Sequence, residues 1–424
     1  MEISVKKEEF NKYYRDIEPI VFDNKTLAEI KPLTKVKFDP HYKNNKIISK
    51  QEAIEDIRIF FRIIELCYCG YEYYRDRIDF SLLEQQIILS LSESDISAQN
   101  IGNVIYKVLS PYINDSHFSI LADECLSLGK LYRAYFTGLV IGLINGNYVV
   151  TKGNKLVKKG YVFSFEQIKE YLFETLPDSK GNKRFLLGIY TSKLPKRIKI
   201  GGFELAVHPC KTDNIQQTEE AIRTEEMLGI PIVHNSSYSF ETETPSFDDY
   251  FKLGKKYKDT KYLVWSILSN GGGNSNYPMN FIQGLNNHAV WNMDCAVINS
   301  PFISEGQKQE KSYSVFEGCV GIDESQYEGT LFVLQNKQVA SSGESAIMYG
   351  RSVKKRIFVG SASMGCGQFG DVLTYKLPNS ELFFAMGYKV FNMEGFEEGK
   401  GFFPDYWLDS NDPVKDVVEY IMQR

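Results

Sequence analysis

The hydrophobic period changes twice along the chain, and that change limits the fold more than any single motif does. Between about residues 50 and 97, apolar residues recur at helical spacing (Ile54, Ile57, Phe61 and Ile64, then Leu82, Leu83, Ile87 and Leu91), which predicts amphipathic helices. After Leu128 the pattern becomes short runs rich in β-branched and aromatic residues, such as GLVIGL, NYVVTK and RFLLGIYTS. Turn formers punctuate them at Asn145-Gly146, Gly153-Asn154 and Lys159-Gly160. A β-rich module is expected from about 130 to 205, with one helix near Phe165 to Thr175. From about 210 onward strand-like and helix-like segments alternate: KYLVWSIL, Pro278 to Leu285, VWNMDCAVI, GTLFVLQN, a helix from Ser341 to Val353, and RIFVGSAS. Such alternation predicts an α/β domain with a covered, largely parallel sheet.

Three regimes fit a chain of 424 residues, which at roughly 150 residues per domain suggests two or three domains. Their expected boundaries are 1–125 (helical), 126–205 (β-rich) and 206–424 (α/β). Forty-nine Lys and Arg against 54 Asp and Glu give a net charge of −5, spread without an extreme block, so a nonspecific electrostatic grip on nucleic acid or on an acidic membrane is not expected. The longest nearly uncharged apolar run, Tyr135 to Ile144, is short of the ~20 residues of a spanning helix and is broken by Gly138 and Gly142. No transmembrane segment is expected. The opening MEISVKKEEF has no signal-peptide pattern, which points to the cytoplasm, or to an extracytoplasmic protein if a leader has been removed. Seven scattered cysteines form no CxxC pair, so neither a disulfide framework nor a zinc site is expected, and no cofactor motif stands out.

Four segments could carry chemistry. Only five histidines could act as a base near neutral pH: His41, His117, His208, His234 and His288. Of these His117 lies in NDSHFSI, where a polar turn delivers the imidazole to the start of an apolar strand. The run SNGGGNSN, Ser269 to Asn276, follows a strand, and its glycines permit positive φ and could expose N–H groups as half an oxyanion hole. It matches neither a Walker loop nor the dinucleotide fingerprint. In VASSGESAIMYG, a serine at a strand-to-helix turn presents its hydroxyl beside unpaired N–H groups, as a nucleophile requires. The same letters, Ser341 to Glu344, also spell a helix capping box. Finally, glycines around Glu398 in FEEGKGFFPDYWL suggest a turn that either holds one carboxylate in place or is simply a solvated acidic turn.

Taken in order, NGGGN after a strand, SSGE opening a helix, VGSASMGCG, a hairpin through Leu377 to Ser380, and EGKGFFPD resemble the C-terminal-processing (tail-specific) serine protease family over residues 258–410. The segment Asp115 to Phe118 extends the likeness upstream, and Glu398, Gly401, Pro404 and Asp405 resemble the tricorn-core branch. The resemblance implies a crotonase-like α/β core, a PDZ-like module in the β-rich region, and an acyl-enzyme endopeptidase acting on extended polypeptide. It implies Ser341 as nucleophile, His117 as general base, Glu398 as the acid orienting it, and Ser116 as an assisting hydroxyl. It also implies an oxyanion hole from the amides of Gly272 or Gly273 and of Ser342. Two departures stand out. Cys366 occupies the place where the other branch carries its lysine base, which excludes a Ser–Lys dyad there, and Ser266-Ile267-Leu268 replaces the family's Asp-Leu-Arg. The alternative is a catalytically inactive peptide-binding homologue.

Overall fold

The computed structural model describes residues 7–39, 44, 46–216, 220–240, 242, 244–289, 293–318 and 325–424; His41 and Cys319 lie outside the described residues. The chain is mixed α/β and divides into two compact units, each assembled from distant stretches. One takes Met1–Lys130, Met293–Gly318 and Cys366–Gly399, the other Leu131–Asn292, Cys319–Gly365 and Lys400–Arg424.

In the first unit the helical period of the N-terminal quarter is realised as Lys50–Cys67, Phe80–Ser90 and Ala98–Leu109. Ser49 and Glu52 close a capping box at the first of these, and Ala53, Ile57, Phe60, Phe61 and Ile64 form its buried face. That face packs with Phe118, Phe369, Phe384 and Val390 from an antiparallel sheet. The sheet runs Ile20–Val21, Glu310–Phe316, Met293–Asn299, Phe383–Met393, Ser119–Leu121, Cys125–Ser127, with Phe369–Lys376 also paired to Phe383–Met393. Buried Asp56 holds the expected hairpin turn by accepting the N–H groups of Asn379 (2.9 Å) and Ser380 (2.7 Å). Met293–Asn299 differs from expectation. Read as part of the parallel sheet, it instead pairs antiparallel with Glu310–Phe316 and Phe383–Met393. Its residues are nearly all buried, and such a run looks the same in either kind of sheet.

In the second unit the β-rich region forms a sheet ordered Val162–Phe163, Asn147–Lys152, Arg133–Ile144, Arg184–Thr191, Leu172–Thr175, around a core that includes Leu139, Ile141, Val150, Phe163 and Leu187. Asn145 and Gly146, at φ of 49° and 79°, make the two-residue hairpin turn their sequence predicts. The helix expected to reach Thr175 ends at Ile168, because Leu172–Thr175 pairs with Arg184–Leu187 as an edge strand. The alternating segments build a second sheet: Ile222–Met227, Ile230–Asn235, Tyr262–Ser266, Thr330–Gln335, Arg356–Gly360, Tyr406–Trp407. All its pairings are parallel except the first. Tyr262↔Thr330 through Ser266↔Leu334 sets the two central strands in register, so the loops leaving their C-terminal ends emerge side by side. One loop carries the glycine run and the other carries Ser341.

Candidate active site

The glycine run is held by side chains that local sequence rules do not single out. Asn270 donates from Nδ2 to the Asn235 carbonyl at 2.9 Å, and its Oδ1 accepts the Gly272 N–H at 3.0 Å. Tyr238 N donates to Gly272 O, and Asn274 N returns to Tyr238 O, both at 2.9 Å. A parallel bridge of this kind uses the groups flanking Gly273 and turns the Gly273 N–H to the opposite side. Ser342 Oγ donates to Gly273 O at 2.7 Å, and Ser275 Oγ donates to Ser342 Oγ at 2.9 Å. Glycine is required at both central positions. Gly272 has φ of 108°, and a Cβ there would lie 2.9 Å from Ser341 Cβ and 3.1 Å from Ser342 N; at Gly273 a Cβ would meet Tyr238 backbone at 2.1 Å.

Ser341 stands where Thr330–Gln335 gives way to the helix Ser342–Gly350. It is the N-cap of that helix and closes the capping box with Glu344 that the sequence spells, yet its backbone is not that of an ordinary cap. The capping serines Ser49, Ser97 and Ser246 all have extended backbone, as a helix N-cap ordinarily does. Ser341 has φ 53° and ψ −120°, a sparsely populated conformation for a residue with a Cβ, held by its surroundings. Glu344 provides part of that hold. It is 1% exposed; Oε1 accepts Ser363 Oγ (2.6 Å) and Gly365 N (2.7 Å), while Oε2 accepts the Ser341 N–H at 3.3 Å. Lys337, also buried, donates from Nζ to the carbonyls of Ser363 (2.7 Å) and Met364 (2.8 Å), tying down the same segment. A serine on a strained strand-to-helix turn, with glycine against its Cβ and a helix N-terminus behind it, can present an oxygen nucleophile next to N–H donors.

His117, Ser116 and Glu398 come together in the other unit. Asp115, fully buried, accepts the N–H groups of His117 (2.8 Å) and Phe118 (3.1 Å) through Oδ1 and the Tyr68 hydroxyl (2.8 Å) through Oδ2. Burial raises its carboxyl to about 6 in spite of these donors. Glu398, 4% exposed, accepts Ser116 N at 2.9 Å through Oε1, and Gln368 N (2.9 Å) and Gly367 N (3.2 Å) through Oε2. Its carboxylate thus fastens the segment bearing His117 to the segment following Cys366. Glu398 O accepts Asn114 Nδ2 at 2.8 Å, and Ser116 packs against Gly129. Burial pushes the His117 imidazole down to about 4, with the Asp371 carboxylate opposing that shift. Cys366 Sγ lies 3.4 Å from Nδ1 and 3.6 Å from Nε2 of His117. Nearly equal distances to both nitrogens place the sulfur over the ring rather than along one lone pair.

The remaining described histidines sit elsewhere. His234 pairs with Glu225 at 2.9 Å, His208 lies 3.4 Å from Asp409, and the His288 carbonyl accepts Asn286 Nδ2. Asn270, Lys337 and Asp371 did not emerge from the sequence as supports, and Glu344 emerged only as the capping partner of Ser341; its bonds to Ser363 and Gly365 depend on the fold. Among the described residues no group of three or more His, Cys, Asp or Glu is placed to hold a metal ion, and no helix is long and apolar enough to cross a membrane.

No protein-family model matches the chain, and no curated protein matches it. Solved structures do. A candidate peptidase of Parabacteroides merdae matches with a TM-score of 0.50 at 11% identity, over 88% of this chain and 97% of that one. This chain shares its fold. Mature CPAF matches at 0.48 and 11% identity, over 88% of this chain and 96% of its own. The photosystem II D1 C-terminal processing protease matches at 0.40 and 15%, over 87% and 94%. At such identities a likeness speaks to fold and leaves chemistry to the residues.

Proposed function

We propose that this chain is a serine endopeptidase that cleaves extended or unfolded polypeptide through an acyl-enzyme on Ser341. The observation that carries the proposal is the Ser341 backbone, a strained strand-to-helix turn with Gly272 against its Cβ, where a plain capping serine would be extended. Ser341 Oγ attacks the peptide carbonyl carbon. His117 takes the hydroxyl proton and returns it to the leaving amine, and Glu398 orients the base. The N–H groups of Ser342 and of the Gly272–Gly273 pair receive the oxyanion, Gly273 foremost because Asn270 already accepts from Gly272. Water then releases the acyl group. Support for the glycine loop, which the family draws from Asp-Leu-Arg, comes here from Asn270, Tyr238 and Ser342. In this proposal residues 206–424 supply a crotonase-like core and 126–205 a PDZ-like module that takes extended chain onto a sheet edge.

The test is incubation of the full chain with an unfolded polypeptide, reading new termini by mass spectrometry. Wild type should generate them, and Ser341→Ala and His117→Ala should not. Binding without cleavage by wild type would identify an inactive peptide-binding homologue, and equal cleavage by all three would place the chemistry elsewhere.

A further inference from the structure

The net charge of −5 conceals a local cluster. From Thr151 to Phe165 the chain carries four lysines and no acid. Here the strand Asn147–Lys152 turns back to Val162–Phe163 through a compact loop. Asn154 Oδ1 accepts the N–H groups of Leu156 and Val157, each at 2.9 Å, and Gly160 N donates to Val150 O at 2.8 Å. Val157, 1% exposed, anchors the middle of the loop in the module's core. Its neighbours therefore face outward: Lys155, Lys158 and Lys159 are exposed, Leu156 is 59% exposed, and Tyr161 and Phe165 are 38% and 49% exposed.

These lysines form no ion pair among the described residues. The acids beside them are taken up by other cations: Glu166, next to Phe165, pairs with Lys169 at 2.7 Å, and Glu204 pairs with Arg197 at 3.6 Å. Glu204 follows Phe203, whose ring meets Tyr161. The surface thus offers unneutralised ammonium groups interleaved with apolar side chains that the fold holds in water. A soluble polyanion would satisfy the ammoniums and leave Leu156 and the two rings hydrated. A bilayer interface takes both, ammoniums at the phosphates and apolar side chains among the headgroups and upper acyl carbons.

We propose that this loop is a docking surface for an anionic lipid bilayer, in addition to and independent of any chemistry at Ser341. Near an anionic surface each lysine contributes about fivefold to partitioning, so the three together amount to on the order of 100-fold. The attraction is screened as salt rises.

The test is co-sedimentation of the full chain with vesicles of pure phosphatidylcholine and with vesicles in which part of it is replaced by phosphatidylglycerol. Wild type should sediment with the anionic vesicles only, and less at high salt. Lys155→Glu/Lys158→Glu/Lys159→Glu removes three attractive charges and adds three repelled ones, so it should lose at least about 100-fold in partitioning. Leu156→Ser/Phe165→Ser should also weaken it while leaving the charge intact. Circular dichroism is the check that both exposed-site variants remain folded. No sedimentation of wild type with anionic vesicles overturns the proposal, as does sedimentation insensitive to the lysine reversal. Equally tight binding to soluble polyuridylate or polyglutamate, unaffected by Leu156→Ser/Phe165→Ser, also overturns it and makes the partner a soluble polyanion.

Discussion

Gly272→Ala probes the most crowded point of the proposed site. The new methyl would sit 2.9 Å from both Ser341 Cβ and the Ala340 carbonyl oxygen and 3.1 Å from Ser342 N, where carbon contacts normally begin near 3.5 Å. It would also force an L side chain to hold φ of 108°, a strain of about 1–3 kcal/mol. Relief requires the glycine loop to move away from the Ser341 turn, or the methyl to occupy the space beside the Ser342 N–H. Either outcome removes an oxyanion donor, which lowers kcat by about 10²–10³. Gly271→Ala is the control, because a Cβ there meets nothing within 4 Å. Both variants would be assayed for hydrolysis of an unfolded polypeptide and for thermal unfolding. Gly272→Ala should lose turnover far beyond its loss of stability, and Gly271→Ala should retain both. Wild-type turnover in Gly272→Ala, or equal damage in the two variants, would refute the geometry.

Four further outcomes follow from the electrostatics and the buried supports. Burial holds the His117 imidazole near 4 against an ordinary 6.5, so the neutral base persists to lower pH and the acid limb of kcat/KM should fall near pH 4. Asp371→Asn removes the charge that favours the imidazolium, so the limb should move lower still; a limb at 6.5 or an upward shift would contradict this. Glu344→Gln keeps the shape but loses charged acceptors for Ser363, Gly365 and Ser341, and should cost about 3 kcal/mol in urea unfolding together with turnover. Lys337→Met strands the carbonyls of Ser363 and Met364 and should also cost about 3 kcal/mol; an unchanged unfolding midpoint would contradict it.

Local signals in the sequence reached far where the physics is local. Asn145-Gly146 predicted its turn and the glycine run its positive φ angles at Gly272 and Gly273, because each is decided within a few residues. Periodicity separated helical, β-rich and alternating stretches for the same reason. It failed for Met293–Asn299, whose choice of sheet depends on partners at 310–316 and 389–393. The Ser341 segment read equally as cap or nucleophile, since both use the same residue types; the capping box with Glu344 forms, and the positive φ at Ser341 is the part that local rules do not specify. Likewise Cys366 was legible only as a lysine replaced. Its place over the His117 ring arises from a chain separation of 249 residues. The basic loop at 155–159 was diluted in whole-chain charge, and only exposure together with the pairing of nearby acids set it apart.

The most direct test of an activated serine is labelling by a fluorophosphonate probe of wild type, Ser341→Ala and His117→Ala, followed by mapping of the modified peptide. A single adduct on Ser341, absent from both variants, is expected. A folded wild-type chain that takes up no label, or carries it on another residue, would contradict it.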